Sequence, residues 1–195
     1  MPSIVAHSLA GMGIWGLARR TPAFHGFQSR GWYAAAVAAS VLPDIDALIG
    51  LEHRGITHTL GFSLTVTALV AASAAFVHRR QALVLCAPFA VAVLLHALMD
   101  FLTGGGGPIR FFWPLVDRCW FPVAGGLPLH YYTTDWTQLP GLLSYRGTLF
   151  NILVEVLIFG PLFAASILNR RALSLSLAGA GFLAWAIVAI VANIP

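Results

Sequence analysis

Eight ionisable side chains in this sequence are of the types that bind metal ions or transfer protons. They are His7, Asp44, Asp46, His53, His58, His96, Asp100 and Glu155. Most of them lie within or beside apolar stretches, where an unpaired charge is costly and therefore indicates a functional site. Imidazoles and carboxylates without a thiolate suit Zn²⁺, and they also accept Mn²⁺ or Fe²⁺. The residue types therefore predict a metal centre, with zinc as the expected ion.

Three short motifs set the spacing of these residues. Residues 42–46 read Leu-Pro-Asp-Ile-Asp, and carboxylates one residue apart point in different directions, so one can bind metal while the other orients a histidine. Residues 53–58 read His-Arg-Gly-Ile-Thr-His and open an apolar stretch. His96 and Asp100 stand at i and i+4 on one predicted helix face. That pair can chelate a single ion or bridge two ions.

The elements that must position these residues are apolar segments. With 58% hydrophobic and 9% charged residues, the chain lies far from soluble globular proteins, in which about a quarter of residues are charged. Six segments are long enough, or nearly so, to cross about 30 Å of hydrocarbon. They cover residues 3–18, 32–51, 57–77, 82–102, 148–168 and 173–193. We predict an all-α polytopic membrane protein with one domain over 1–195 and a lid-like connection over 103–147.

The arginines predict the orientation of these segments. Seven of the eleven lie in the connections between the first and second, third and fourth, and fifth and sixth segments, which the positive-inside rule places in the cytoplasm. The candidate residues then lie at the outer face of a bacterial inner membrane, facing the periplasm or exterior. His25 and His78 fall on the cytoplasmic side and are excluded from the site. Because the arginines cluster at segment ends, the net charge of +4 indicates topology, and no nucleic-acid substrate is expected.

The order of the motifs resembles a known family. His7, followed by Leu-Pro-Asp-Ile-Asp, His-Arg-Gly-Ile-Thr-His and His-x-x-x-Asp, is similar to the YdjM-like, LexA-binding inner-membrane metal-dependent hydrolases, over His7 to Asp100. The ligand order is also similar to that of the zinc-dependent phospholipase C and single-strand nuclease superfamily, all-helical enzymes that cleave phosphoesters with three zinc ions. The resemblance implies that Asp100 bridges two ions. The closing His-x-x-x-Glu of that superfamily is here Asn151-x-x-x-Glu155, and we expect one or two ions.

The predicted roles follow from the motifs and the resemblance. The predicted metal ligands are His7, Asp44, His58, His96, Asp100 and Glu155, and the predicted catalytic group is Asp46, His53 and Arg54. Asp46 can bind metal or orient a histidine, and His53 can be a catalytic acid or a loop residue. Arg54 can bind a substrate phosphate or face lipid headgroups. His130 and Asp135, in the long connection, can cover the site or belong to an aromatic belt.

We predict hydrolysis at the membrane-water boundary, with membrane lipids as partners and an amphiphilic substrate such as a phosphoester of a lipid or polyprenyl carrier. Two alternatives stay open. An ion- or proton-coupled transporter would also carry buried acids and histidines, although the cytoplasmic halves of the segments are nearly all apolar. A protein with a structural metal would close its ligands off from solvent. The sequence leaves the oligomeric state open.

Overall fold

The computed structural model describes residues 3–27, 29–51, 54–78, 82–103, 108–119, 146–168, 176–177, 179–181 and 183. Over these residues six α-helices have defined bounds, and residues 176–177, 179–181 and 183 are also helical. The six helices are Ile4–Ala18 (α1), Gly31–Val41 (α2), Ile45–Leu48 (α3), Leu60–His78 (α4), Ala82–Thr103 (α5) and Arg146–Ile167 (α6). Short 3-10 turns cover Pro22–Phe24, Leu42–Asp44 and Ile56–His58. The all-α prediction is confirmed for the described residues.

The bounds of four helices, α1, α4, α5 and α6, agree closely with those of predicted apolar segments. The second segment differs, because α2 ends at Val41 and the chain continues through the turn Leu42–Asp44 into α3. Pro43 explains the break, since proline has no backbone N–H to donate to the preceding helical turn. Most of the sixth segment and most of the 103–147 connection lie outside the described residues. Among the residues described, none of the helices has the length and apolar character needed to cross a membrane.

Small residues let the helices of the bundle pack closely. α1 packs against α2, α5 and α6, and α5 packs against α2 and α4. A Cβ atom at Gly11 would lie 2.5 Å from the Ser40 hydroxyl and 2.7 Å from the Ala36 carbonyl oxygen. A Cβ atom at Gly16 would likewise collide with the Ser166 side chain of α6. Such small-residue contacts are typical of tightly packed helices in membrane proteins.

An aromatic cluster closes one end of the bundle. The Trp15 ring is fully buried and lies 5.6 Å from Phe24, 5.5 Å from Trp32 and 5.8 Å from Phe89, measured between ring centroids. Trp15 is eight residues from His7 along α1, which corresponds to about 12 Å. The apolar end of the bundle is therefore well separated from the end that carries the histidines and carboxylates.

The described part of the long connection packs at that opposite end. The backbone N–H groups of Leu60 and Gly61 donate to the carbonyl oxygens of Phe111 (2.7 Å) and Trp113 (2.9 Å). These bonds satisfy donors of the first turn of α4 that have no partner within the helix. The Phe111 ring also stacks on Phe101 at 4.9 Å, beside Asp100 on α5. Residues 108–119 thus pack against both the start of α4 and the end of α5.

We predict that Gly11→Ala destabilises the protein by about 1–3 kcal/mol, because its new methyl group would collide with the α2 backbone at Ala36. Gly26→Ala is the control, since a Cβ atom there would meet no atom within 4 Å. The free energy of unfolding in denaturant measures both variants. Equal stability of the two variants would contradict the close packing of α1 on α2.

Candidate metal centre

Four side chains from three parts of the chain converge at one end of the bundle. Asp44 ends the turn Leu42–Asp44, His58 ends the turn Ile56–His58, and His96 and Asp100 lie on α5. One ligand atom from each residue lies within 4.8 Å of the other three, so the group can hold a metal ion. His58, His96 and Asp100 are buried, whereas the Asp44 side chain keeps 12% of its surface exposed.

The spacing of the four ligand atoms matches one tetrahedral ion. His58 Nε2 lies 3.2 Å from His96 Nε2, 3.1 Å from Asp100 Oδ2 and 3.5 Å from Asp44 Oδ1. His96 Nε2 lies 3.5 Å from Asp44 Oδ1 and 3.8 Å from Asp100 Oδ2. Ligands about 2.0–2.1 Å from a tetrahedral Zn²⁺ would lie about 3.3–3.4 Å from one another. The donor set therefore fits a single zinc-sized ion.

The hydrogen bond of His96 directs its free nitrogen into the site. His96 Nδ1 lies 2.7 Å from the Ser40 carbonyl oxygen, which can only accept, so Nδ1 carries the proton and donates it. In the neutral ring, Nε2 then presents a lone pair to the other ligands. Ser40 lies in the last turn of α2, where carbonyl groups lack intrahelical partners. This role of Ser40 was not predicted from the sequence, in which Pro43 shows only that the helix loses a backbone donor nearby.

His58 is oriented in the same way by Asp46 and Thr57. The Thr57 hydroxyl donates to Asp46 Oδ2 at 2.7 Å, so its oxygen can accept from His58 Nδ1 at 3.0 Å. Asp46 Oδ2 is itself 3.3 Å from His58 Nδ1. The structure thus places Asp46 behind His58 and outside the group of four. A carboxylate that holds a histidine in this way fixes its tautomer and makes it a better metal ligand.

His7 and Arg54 flank Asp100. The fully buried His7 ring stacks on His96 with centroids 3.7 Å apart, and its Nε2 lies 3.5 Å from Asp100 Oδ1. Arg54 donates from Nη2 to the Asp100 carbonyl oxygen at 3.2 Å, and its Nε lies 3.7 Å from Asp100 Oδ2. The φ angle of Arg54 is 64°, in the left-handed region that non-glycine residues seldom adopt away from functional sites. Both residues therefore adjoin the site without joining the group of four.

The charges of the site are suited to a divalent cation bound between neutral imidazoles. Asp44, Asp46 and Asp100 contribute three negative charges, Arg54 contributes one positive charge, and neutral imidazoles contribute none. The remaining two negative charges are largely buried, which is costly without a compensating charge. Asp44 Oδ1 and both carboxylate oxygens of Asp100 are buried and accept no hydrogen bond in the described structure. A divalent ion would satisfy these oxygens and neutralise the site.

Glu155 was predicted as a metal ligand, and the structure gives it different partners. Its carboxylate accepts a 2.6 Å hydrogen bond from the Ser3 backbone N–H and a second bond from the Ser3 hydroxyl. Ser3 is the N-cap of α1, and its N–H precedes the first helical turn, so a buried carboxylate supplies the acceptor that it needs. His53, His130 and Asp135 lie outside the described residues. Glu155 thus supports the start of the helix that carries His7.

We predict that the purified protein carries one divalent ion per chain. His96→Ala and Asp100→Ala should each remove most of it, because each variant deletes one of four ligands. His25→Ala is the control, since His25 is exposed beside the turn Pro22–Phe24. Elemental analysis of folded protein gives the stoichiometry. A metal-free folded protein would contradict the assignment, and two ions per chain would place a second ion between His7 and Asp100 Oδ1.

Comparison with known proteins identifies the family. The family model described as YdjM inner membrane protein matches residues 1–194. The inner membrane protein YbcI of Escherichia coli (strain K12) is 31% identical over 138 residues, covering 56% of this chain and 78% of that protein. No solved structure matches the chain. The resemblance to the YdjM-like family is thereby confirmed, while the metal-dependent hydrolase activity stays a prediction. The chain belongs to the YdjM inner membrane protein family.

Proposed function

We propose that the protein is a membrane-embedded, metal-dependent hydrolase that cleaves a phosphoester of an amphiphilic substrate. The observation that carries the proposal is the group formed by Asp44, His58, His96 and Asp100, whose ligand atoms have the spacing of a tetrahedral site and include two carboxylates. When bound there, a zinc or similar ion supplies Lewis acidity that activates water and polarises a substrate oxygen at neutral pH.

The partial exposure of Asp44 favours a catalytic site over a structural one. Structural zinc sites are closed by four protein ligands, whereas catalytic sites keep one position accessible. Three of the four residues are buried, and Asp44 alone among them reaches the surface, with 12% of its side chain exposed. We infer that substrate reaches the centre past Asp44. A carboxylate at the edge of the site can shift when substrate arrives, while the two histidines stay fixed by their hydrogen bonds.

The surrounding residues have separate tasks in this proposal. Asp46 and Thr57 hold His58 in the tautomer whose Nε2 faces the site. The guanidinium of Arg54 lies beside Asp100, where its planar fork can bind phosphate oxygens. His53, which precedes Arg54 in the sequence, is our candidate for the acid that protonates the leaving group. These roles are assigned to the three residues that were predicted as catalytic from the sequence.

We further propose that the bundle lies in the inner membrane, crossing it with the six predicted segments. Large apolar side chains face outward on α4 and α6, among them Leu69 (63% exposed), Phe76 (90%) and Leu157 (59%). A soluble protein rarely exposes so much apolar surface, and lipid would cover it. The family description and the name of YbcI both refer to the inner membrane. Because seven of the eleven arginines lie in the connections predicted at the opposite end, we assign the metal centre to the outer face.

This orientation predicts the labelling of the two cysteines. Cys119 is exposed in the connection that packs at the metal end, and Cys86 is buried in α5. A membrane-impermeant maleimide added to intact cells should therefore label the wild-type protein and fail to label the Cys119→Ser variant. Labelling of Cys119 that appears only after cell lysis would place the metal centre in the cytoplasm.

We predict that the metal-loaded protein hydrolyses a lipid or polyprenyl phosphoester, and that a chelator abolishes turnover. Asp100→Asn should lose both metal and turnover. Asp46→Asn should retain metal and lose about 10- to 100-fold in turnover, because His58 loses its orienting carboxylate. His25→Ala should change neither quantity. Bound metal and phosphate release are measured side by side on each variant.

The panel of phosphoesters should include phosphatidate, a polyprenyl phosphate and a polyprenyl pyrophosphate. Turnover that survives complete removal of the metal would contradict the proposal. So would a fully metal-loaded protein that cleaves none of these substrates.

A further inference from the structure

A cleft separates α2 from α4 on the surface of α5. Both helices pack against α5, while few contacts join α2 directly to α4 over the residues described. The cleft has a volume of about 360 Å³. Apolar side chains supply most of its lining, including Ala35, Ala38, Leu42, Val66, Val70 and Val93. No charged residue lines it, and the hydroxyl of Thr67 in its lining donates to the Ser63 carbonyl oxygen of α4.

One end of the cleft adjoins the candidate metal centre. Leu42 precedes Asp44 by two residues, and Val93 precedes His96 by three, which is about one helical turn. The other end is bordered by Trp32 and Phe89, which pack on Trp15 in the aromatic cluster. From Val93 to Cys86, α5 advances about 10 Å along the cleft. The cleft is therefore an elongated apolar space that begins within about one helical turn of the candidate ligands along the chain.

We propose that this cleft binds a hydrocarbon chain of the substrate while the anionic head of the same molecule lies at the metal centre. The proposal rests on the proposed function and specifies its substrate class as a phosphoester that carries a long alkyl or isoprenoid chain. The volume falls within the range of about 300–1,000 Å³ that is typical of ligand sites. Each methylene group that enters is removed from water, so affinity should rise with chain length.

The charges at the two ends fit this occupant and its orientation. The metal and the guanidinium of Arg54 would attract an anionic phosphate at one end. The aromatic and aliphatic lining at the other end would accept only an apolar chain. Since α2 and α4 do not close over α5, a chain can enter sideways from surrounding lipid. The residue that lies between head and chain in this pose is Leu42, next to the helix break at Pro43.

The last described segment of the chain lies elsewhere. Gly181 contacts the Ile158 carbonyl and Pro161 of α6, and α6 packs on α1, whereas α4 packs on α5. Residues 179–181 therefore adjoin a different part of the bundle and do not occupy the cleft.

The test uses binding of two probes, hexadecyl phosphate and butyl phosphate, to metal-loaded protein in lipid nanodiscs. Ala38→Phe places a large side chain in the cleft at an exposed position of α2, where the fold can accommodate it. We expect it to weaken hexadecyl phosphate binding about tenfold or more and to leave butyl phosphate binding and metal content unchanged. Ala68→Phe is the matched control, because Ala68 is an exposed alanine of α4 that does not line the cleft.

A second measurement locates the hydrocarbon chain of the probe directly and needs no protein variant. Hexadecyl phosphate that carries a photoreactive diazirine at its chain terminus should crosslink to residues near Cys86 and Phe89. Crosslinks elsewhere would overturn the proposal, as would hexadecyl phosphate that binds no tighter than butyl phosphate or is unaffected by Ala38→Phe. The same results would follow if another segment of this chain filled the cleft. Because the difference in affinity between the two probes does not require that either is hydrolysed, a failure of hydrolysis alone would count against the proposed function and not against the binding of a hydrocarbon chain in the cleft.

Discussion

Two imidazole nitrogens that face each other at 3.2 Å are the constraint on which the rest of the structure depends. Each ring donates from its Nδ1 to an acceptor. The acceptor for His96 is the Ser40 carbonyl oxygen, and those for His58 are Thr57 and Asp46. Two lone pairs therefore converge with the carboxylate oxygens of Asp44 and Asp100. Because these electron-rich groups repel one another, a cation bound between them would stabilise their arrangement. Since metal binding free energy contributes to folding free energy, the ion would also stabilise the convergence of α5 with the two 3-10 turns.

The bundle is arranged so that backbone and side chains both serve this site. Gly11 lets α2 approach α1 closely, and that approach sets the position of Ser40, whose carbonyl orients His96. The break at Pro43 ends α2, releases carbonyl groups and turns Asp44 and Asp46 in different directions. At the opposite end, the rings around Trp15 form a buried aromatic cluster. One end is thus specialised for charge and the other for packing, and the apolar cleft runs between them.

Much of this could be predicted from the sequence because helical rise converts residue number into depth. His7, Asp44, His58, His96 and Asp100 were predicted to lie at one face of the membrane, and the structure brings them together at one end of the bundle. Depth does not determine rotation about the helix axis, which is why Glu155 shares that level and yet binds Ser3. The role of the Ser40 carbonyl could not be predicted, because every residue has a carbonyl and only the packing of α2 on α5 selects this one. The cleft likewise depends on how α2 and α4 cross α5, which no local pattern encodes.

The most direct test of the central claim is X-ray absorption spectroscopy of the metal in the purified protein, which reports the atoms bound to the ion. The structure predicts two imidazole nitrogens and carboxylate oxygens at about 2.0–2.2 Å, with four protein ligands and no sulfur. In the His58→Ala variant, the imidazole scattering of any remaining ion should fall by half. A spectrum dominated by sulfur, or by oxygen ligands without imidazole, would contradict the assignment of Asp44, His58, His96 and Asp100 as the metal centre.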